Sequence, residues 1–71
     1  MSLVQKLKPH LEELKVHKKV TDLSPTERRL NQMTAIITNS RWTKEQKDKM
    51  LREIVAESQV EKVLKQKGIK V

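Results

Sequence analysis

Val20-Thr21-Asp22-Leu23-Ser24-Pro25-Thr26-Glu27-Arg28-Arg29-Leu30, residues 20–30, packs three helix-start signals into four consecutive positions. Ser24 supplies a hydroxyl that accepts from the free amides of a first turn. Pro25 has the fixed backbone angle and the missing N–H that suit the first helical position, and Glu27 reaches back to complete a capping box. A helix therefore begins at Ser24, with Leu30, Met33 and Ile37 as its buried stripe and Ile36 alongside. It is expected to run out near Asn39-Ser40, leaving residues 39–42 as a loop. The stretch before Ser24 is then a junction, and the question is whether it only joins two helices or also does the protein's work.

Upstream, Leu7, Leu11 and Leu14 form a helical stripe that Val4 or Leu3 extends backwards. Pro9 interrupts it, because a proline inside a helix lacks a donor and clashes with the preceding turn. The expectation is a leading turn from about residue 3, a kink, and a helix to about Lys18. Downstream, Thr43-Lys44-Glu45-Gln46 is a second capping box, followed by the apolar face of Met50, Leu51, Ile54 and Val55. An unbroken helix would next place Ser58 and Glu61 on that face, yet the apolar residues are Val60, Val63 and Leu64. This shift predicts a break near Glu57, with Ser58-Gln59-Val60-Glu61 as a third capping box. Gly68 then ends the last helix in the left-handed conformation, with Ile69 packing back on Leu64 and with Lys65 and Lys67 near the negative end of the helix dipole.

Composition agrees with this pattern. The chain has 71 residues, enough for one domain, and Trp42 is its only aromatic residue, so the core must be built from Leu, Ile, Val and Met. Gly68 is the only glycine and β-branched runs are short, so local propensity favours helix nearly everywhere. The fold class expected is all-α: a compact bundle of four helices, or five counting the leading turn, forming a single domain over residues 1–71. The abrupt end at Val71 is what a piece of a longer protein would show, and the opening Met1-Ser2-Leu3 is in part an expression scar on this reading.

There is no cysteine, which excludes a disulfide scaffold and a thiolate zinc site. The apolar runs are no longer than three residues, as at Ala35-Ile36-Ile37, so no segment reads as a membrane span or a signal peptide, and a soluble intracellular protein is the default expectation. Sixteen basic residues against nine acidic ones give a formal charge of +7, which attracts nucleic acid, anionic lipid or acidic protein segments without choosing among them.

His10, Glu13 and His17 share a helix face, but two histidines two turns apart sit about 10 Å apart along the axis, too far for one ion. They read as solvated or structural, and neither a metal nor a cofactor is expected. No nucleophile motif, catalytic carboxylate pair, glycine-rich phosphate loop or room for a pocket is present, so the chain does not read as an enzyme. Lys15, Lys18 and Lys19 cluster before the Ser24 helix and Arg28 and Arg29 open it, while Arg41, Lys44, Lys47 and Lys49 surround Trp42. These groups are spread over several elements and mixed with acids, which suits weak phosphate contact better than a recognition helix. Trp42 reads as semi-buried packing beside the loop rather than as a site.

Taken in order, Lys19-Val20-Thr21-Asp22-Leu23, then Leu30-x-x-Met33-x-x-Ile36, then Ser58-Gln59-Val60 resemble the integrase-binding domain of lens-epithelium-derived growth factor and its hepatoma-derived growth factor relatives, a helical bundle related to the TFIIS N-terminal fold. The resemblance runs through most of the chain. It implies a nuclear chromatin or transcription adaptor that docks short peptide motifs of regulators on two inter-helix loops at one end of the bundle. By position, the first loop offers Val20, Thr21 where the family has its acidic residue, then Asp22 and Leu23. The second offers Val55 in place of an aromatic residue and Glu57 where an apolar one is expected. Lys18 and Lys19 form the basic rim. The alternative reading is a small basic nucleic-acid-binding domain, and the oligomeric state is left open.

Overall fold

The computed structural model describes residues 2–69, apart from the side chain of Ser58, and every regular element among them is helical. Helix α1 (Leu3–Leu7), a 3-10 turn (Lys8–His10) and helix α2 (Leu11–Leu14) follow one another without a gap and act as one bent helix. A second 3-10 turn (Val20–Asp22) leads to α3 (Pro25–Thr38), α4 (Lys44–Val55) and α5 (Ser58–Gln66). Counting the bent helix once, four helices make the bundle. Its radius of gyration, 11.4 Å, matches the value of about 11 Å for a folded chain of this length.

The core is wholly apolar. Leu7 and Leu14 enter from the bent helix, Leu30, Met33, Ile36 and Ile37 from α3, Leu51 and Ile54 from α4, and Val60, Leu64 and Ile69 from α5 and its end. Among the described residues no polar or charged side chain is buried. Each of these aliphatic side chains stabilises the fold by about 1.5–3 kcal/mol through loss of water contact, and nothing else in so small a domain is of comparable size.

Helix ends are closed largely by side chains. At the start of α3, Ser24 Oγ accepts from the Glu27 amide at 3.2 Å and Glu27 Oε1 accepts from the Ser24 amide at 3.0 Å. Thr43 and Gln46 repeat this box at the start of α4, with 3.2 and 3.1 Å separations. The first turn of α1 is closed from elsewhere in the fold: Ser2 Oγ accepts from Gln5 N, and Asp48 Oδ1 on α4 accepts from Val4 N at 3.1 Å. That carboxylate sits where the helix dipole is positive, and it joins two helices. Lys47 Nζ donates to the Ile37 carbonyl at 3.1 Å, satisfying an acceptor that the end of α3 leaves free. At the end of α5, Gly68 takes φ +77°, and the amides of Gly68 and Ile69 donate to Lys65 O and Leu64 O at 3.0 and 2.9 Å. This is the Schellman arrangement expected from the sequence, and it folds Ile69 into the core.

Two expectations are corrected. The first helix stops at Leu14 instead of continuing to Lys18, because Lys15 turns extended and Asn31 on α3 captures the next residue. Asn31 Oδ1 accepts from Val16 N at 2.8 Å and Asn31 Nδ2 donates to Val16 O at 3.2 Å. A side-chain amide that satisfies both backbone groups of one residue replaces the bonds that a further helical turn would have made. The last helix starts one residue earlier than the third capping box requires. Glu57 holds the cap position without a side-chain hydrogen bond, and Glu61 Oε1 lies 3.3 Å from Lys65 Nζ instead. The capping role expected of the Ser58 side chain lies outside the described residues.

Asn31→Ala should therefore cost about 1–2 kcal/mol, from two lost hydrogen bonds and a half-buried backbone left without partners. In a domain of this size that is a fall in Tm of roughly 5–15 °C, read from the thermal melt of the helical circular dichroism signal. An unchanged melt would show that Asn31 does not hold the segment.

Candidate functional site

From Val16 to Ser24 the chain runs as a short, mostly exposed connection. The Val20–Asp22 turn is closed by Asp22 N donating to Lys19 O at 2.9 Å and, more weakly, by Leu23 N donating to Val20 O at 3.4 Å. Leu23 returns to extended backbone, which aligns Ser24 for its capping role. Val20 projects with 73% of its surface exposed, the one large apolar side chain among the described residues that is left in water. Lys18, Lys19, Thr21 and Asp22 are exposed, and Leu23 is half-buried. Lys18 is not a free rim charge, because its Nζ lies 3.0 Å from Glu27 Oε2.

The second predicted loop is the turn between α4 and α5. Ala56 N and Glu57 N donate to Arg52 O and Ile54 O, closing the end of α4 before the backbone extends at Glu57. Val55 packs half-buried against the core, while Glu57 is exposed. Glu57 Oε1 lies 3.3 Å from Arg29 Nε, and Thr26 Oγ1 donates to Gln59 Oε1 at 3.2 Å across 33 positions of sequence. Both contacts reach the first two turns of α3, directly after the Val20–Leu23 connection. Among the described residues no hydrogen bond or ion pair joins Val20, Thr21, Asp22 or Leu23 to Val55 or Glu57, and α3 is the bridge between the two junctions. The Arg29–Glu57 pair is about half exposed, so it positions the turn more than it stabilises the fold.

The remaining charged groups lie elsewhere. Arg41, Lys44 and Lys49 are exposed around the loop between α3 and α4, at the far end of α3 from Arg28 and Arg29. Arg28 and Arg29 lie in the first turns of α3 (Pro25–Thr38), and about 15 Å of helix separates them from its far end. Trp42 is half-buried against the core with Met50 and Lys49 beside it. His10 Nδ1 lies 3.4 Å from Glu13 Oε2 without hydrogen-bond geometry, and His17 is exposed.

A feature missed in the sequence adjoins the first junction. Residues from α3 and α5 line an open groove floored by Val16, Leu30 and Val63. Its signal in the sequence is the spacing of Gln59, Lys62, Val63, Gln66 and Lys67, a second stripe on α5 beside the buried one of Val60 and Leu64.

The Glu27 carboxylate has a displaced titration. The Ser24 backbone amide, and after it the Lys18 ammonium, hold its pKa below the ordinary value of 4.5. A carboxylate depressed on folding contributes stability that is full above its unfolded pKa and is lost as pH falls through the folded one. Glu27→Gln should accordingly flatten the acid limb of the stability curve below about pH 4.5 while retaining the helix. A carboxyl carbon titration of the parent protein should show Glu27 as a low outlier. Titration at the ordinary value would break the proposed link between this cap and Lys18.

No protein-family model matches this chain, and no curated protein or solved structure matches it.

Proposed function

We propose that this chain is a protein-interaction module that docks short peptide motifs at the end of the bundle where α3 begins. Val20, Thr21, Asp22 and Leu23 supply one side of the docking surface, Val55 and Glu57 the other, and Lys19 its basic rim, Lys18 being paired with Glu27. The observation that carries this reading is the exposed Val20, an apolar side chain on a pinned turn, next to a helix start that also holds the α4–α5 junction. A shallow apolar feature ringed by cations suits a short segment with aliphatic and acidic residues, where contact with the aliphatic group gives affinity and the lysines steer approach. Ordering such a segment costs free energy, so binding is of modest affinity.

The resemblance noted in the sequence extends the proposal: a TFIIS N-terminal-like bundle acting as a chromatin or transcription adaptor in the nucleus. On this view the chain is a binding module and not an enzyme, and its partners are peptide motifs of transcription or chromatin proteins. Nucleic acid is then at most a weak, non-specific contact through the exposed lysines and arginines.

A salt titration with a Val20 variant tests the reading. Binding of short acidic–aliphatic peptides, followed by amide chemical shifts, should persist from about 50 to 200 mM salt and weaken at least about tenfold with Val20→Asp. Duplex DNA contact should collapse over the same range. Tight duplex binding together with indifference of every interaction to Val20→Asp would overturn the proposal.

A further inference from the structure

The groove between α3 and α5 is distinct from the two junctions and has a chemistry of its own. Its apolar lining is the half-buried Val16 and Val63 over the buried Leu30, and it is open to solvent with a volume of about 410 Å³. That shape suits an apolar ridge and not an enclosed small molecule. The α5 wall presents Gln59, Lys62, Val63, Gln66 and Lys67, the i, i+3, i+4, i+7, i+8 stripe of one helix face. Val16 and Val63 are only half-buried, so the floor retains apolar surface that the bundle does not cover.

Charge defines the occupant. Glu27 is the only carboxylate among the residues lining the groove, and it is already engaged by Lys18 at 3.0 Å and by the Ser24 amide. Lys62 and Lys67 are exposed, and among the described residues neither has a carboxylate partner within ion-pair distance. The uncompensated charge along the groove is therefore positive, in a chain whose net charge is +7. A second copy of the same cationic chain is disfavoured as occupant by that charge. A phosphate backbone has no use for the apolar surface that Val16 and Val63 leave uncovered.

We propose that this groove binds an acidic amphipathic helix of a partner protein, with aliphatic side chains at i and i+4 set on Val16, Leu30 and Val63, and carboxylates facing Lys62 and Lys67. The inference rests on the reading of the chain as a peptide-docking module, but it assigns the helical partner to the groove and not to the Val20 and Val55 junctions. Thr26 and Gln59, both lining the groove, are joined by a hydrogen bond of 3.2 Å.

The probe is a synthetic 12-residue peptide with Leu at positions 2, 6 and 9 and Glu at most others, titrated into the 15N-labelled chain beside a scrambled peptide of identical composition. The expected result is saturable shifts at Lys62, Val63, Gln66 and Leu30 with the ordered peptide only. Affinity should fall about tenfold in Lys62→Glu/Lys67→Gln, with the dispersed free spectrum retained, and should be unaltered by Val20→Asp. Four outcomes overturn the inference: shifts confined to residues 20–23 and 55–57, which would leave the junction reading standing; equal response to the scrambled peptide, which would mean charge alone; groove shifts with a 12-nucleotide single strand in preference to the peptide; or no groove shifts in a folded chain. The junction reading fails separately, if its own peptides ignore Val20→Asp.

Discussion

The first amides of a helix have no carbonyl partners within it, and the way α3 meets that requirement organises one whole end of this molecule. Ser24 and Glu27 close the first turn on each other. Closing it fixes the Glu27 carboxylate, whose other oxygen then holds Lys18. One turn later Asn31 grips both backbone groups of Val16. The connection from Val16 to Ser24 is thus tied at both ends to α3, and its short 3-10 turn has little choice but to present Val20 to water. From the same two turns Thr26 and Arg29 reach Gln59 and Glu57. A helix start that serves as a hub is the reason two distant segments share one end of the bundle.

Elements whose physics is local were legible in the sequence. The capping boxes at Ser24 and Thr43, the stop at Gly68 and the aliphatic stripes of α3 and α4 each follow from side chains within a turn or two of one another, and each is present in the structure. Features that depend on a partner far along the chain were not legible. Asn31 looks like any polar residue on the outer face of a helix, yet it decides where the first helix ends. Asp48 looks like one more surface acid on α4, yet it caps α1. The Ser58-Gln59-Val60-Glu61 pattern read as a box, and the helix instead begins with Glu57 at its cap, where Arg29 meets the side chain. The candidate junctions could be named from the sequence, but the contacts of Lys18 and Glu57 could not, since both depend on how α3 packs.

An all-aliphatic core and a surface with a large excess of cations divide the work in this protein. The core contributes most of the stability, and among the described residues it buries no polar or charged side chain. Among the described residues, apolar surface remains at Val20 on the 3-10 turn, in the groove beside α5 and around Trp42 and Met50. The groove takes Thr26, Glu27 and Leu30 from the start of α3, and Val20 lies on the connection just before it.

The central claim is that the start of α3 holds the α4–α5 junction and the Val16 segment at one end of the bundle. Side-chain nuclear Overhauser contacts in the isotope-labelled protein test this directly. The account predicts contacts from the Thr26 methyl to the Gln59 side chain, together with contacts from the Val16 methyls to the Asn31 side-chain amide. Contacts that place Gln59 beside Trp42, at the other end of α3, with none to Thr26, would contradict it.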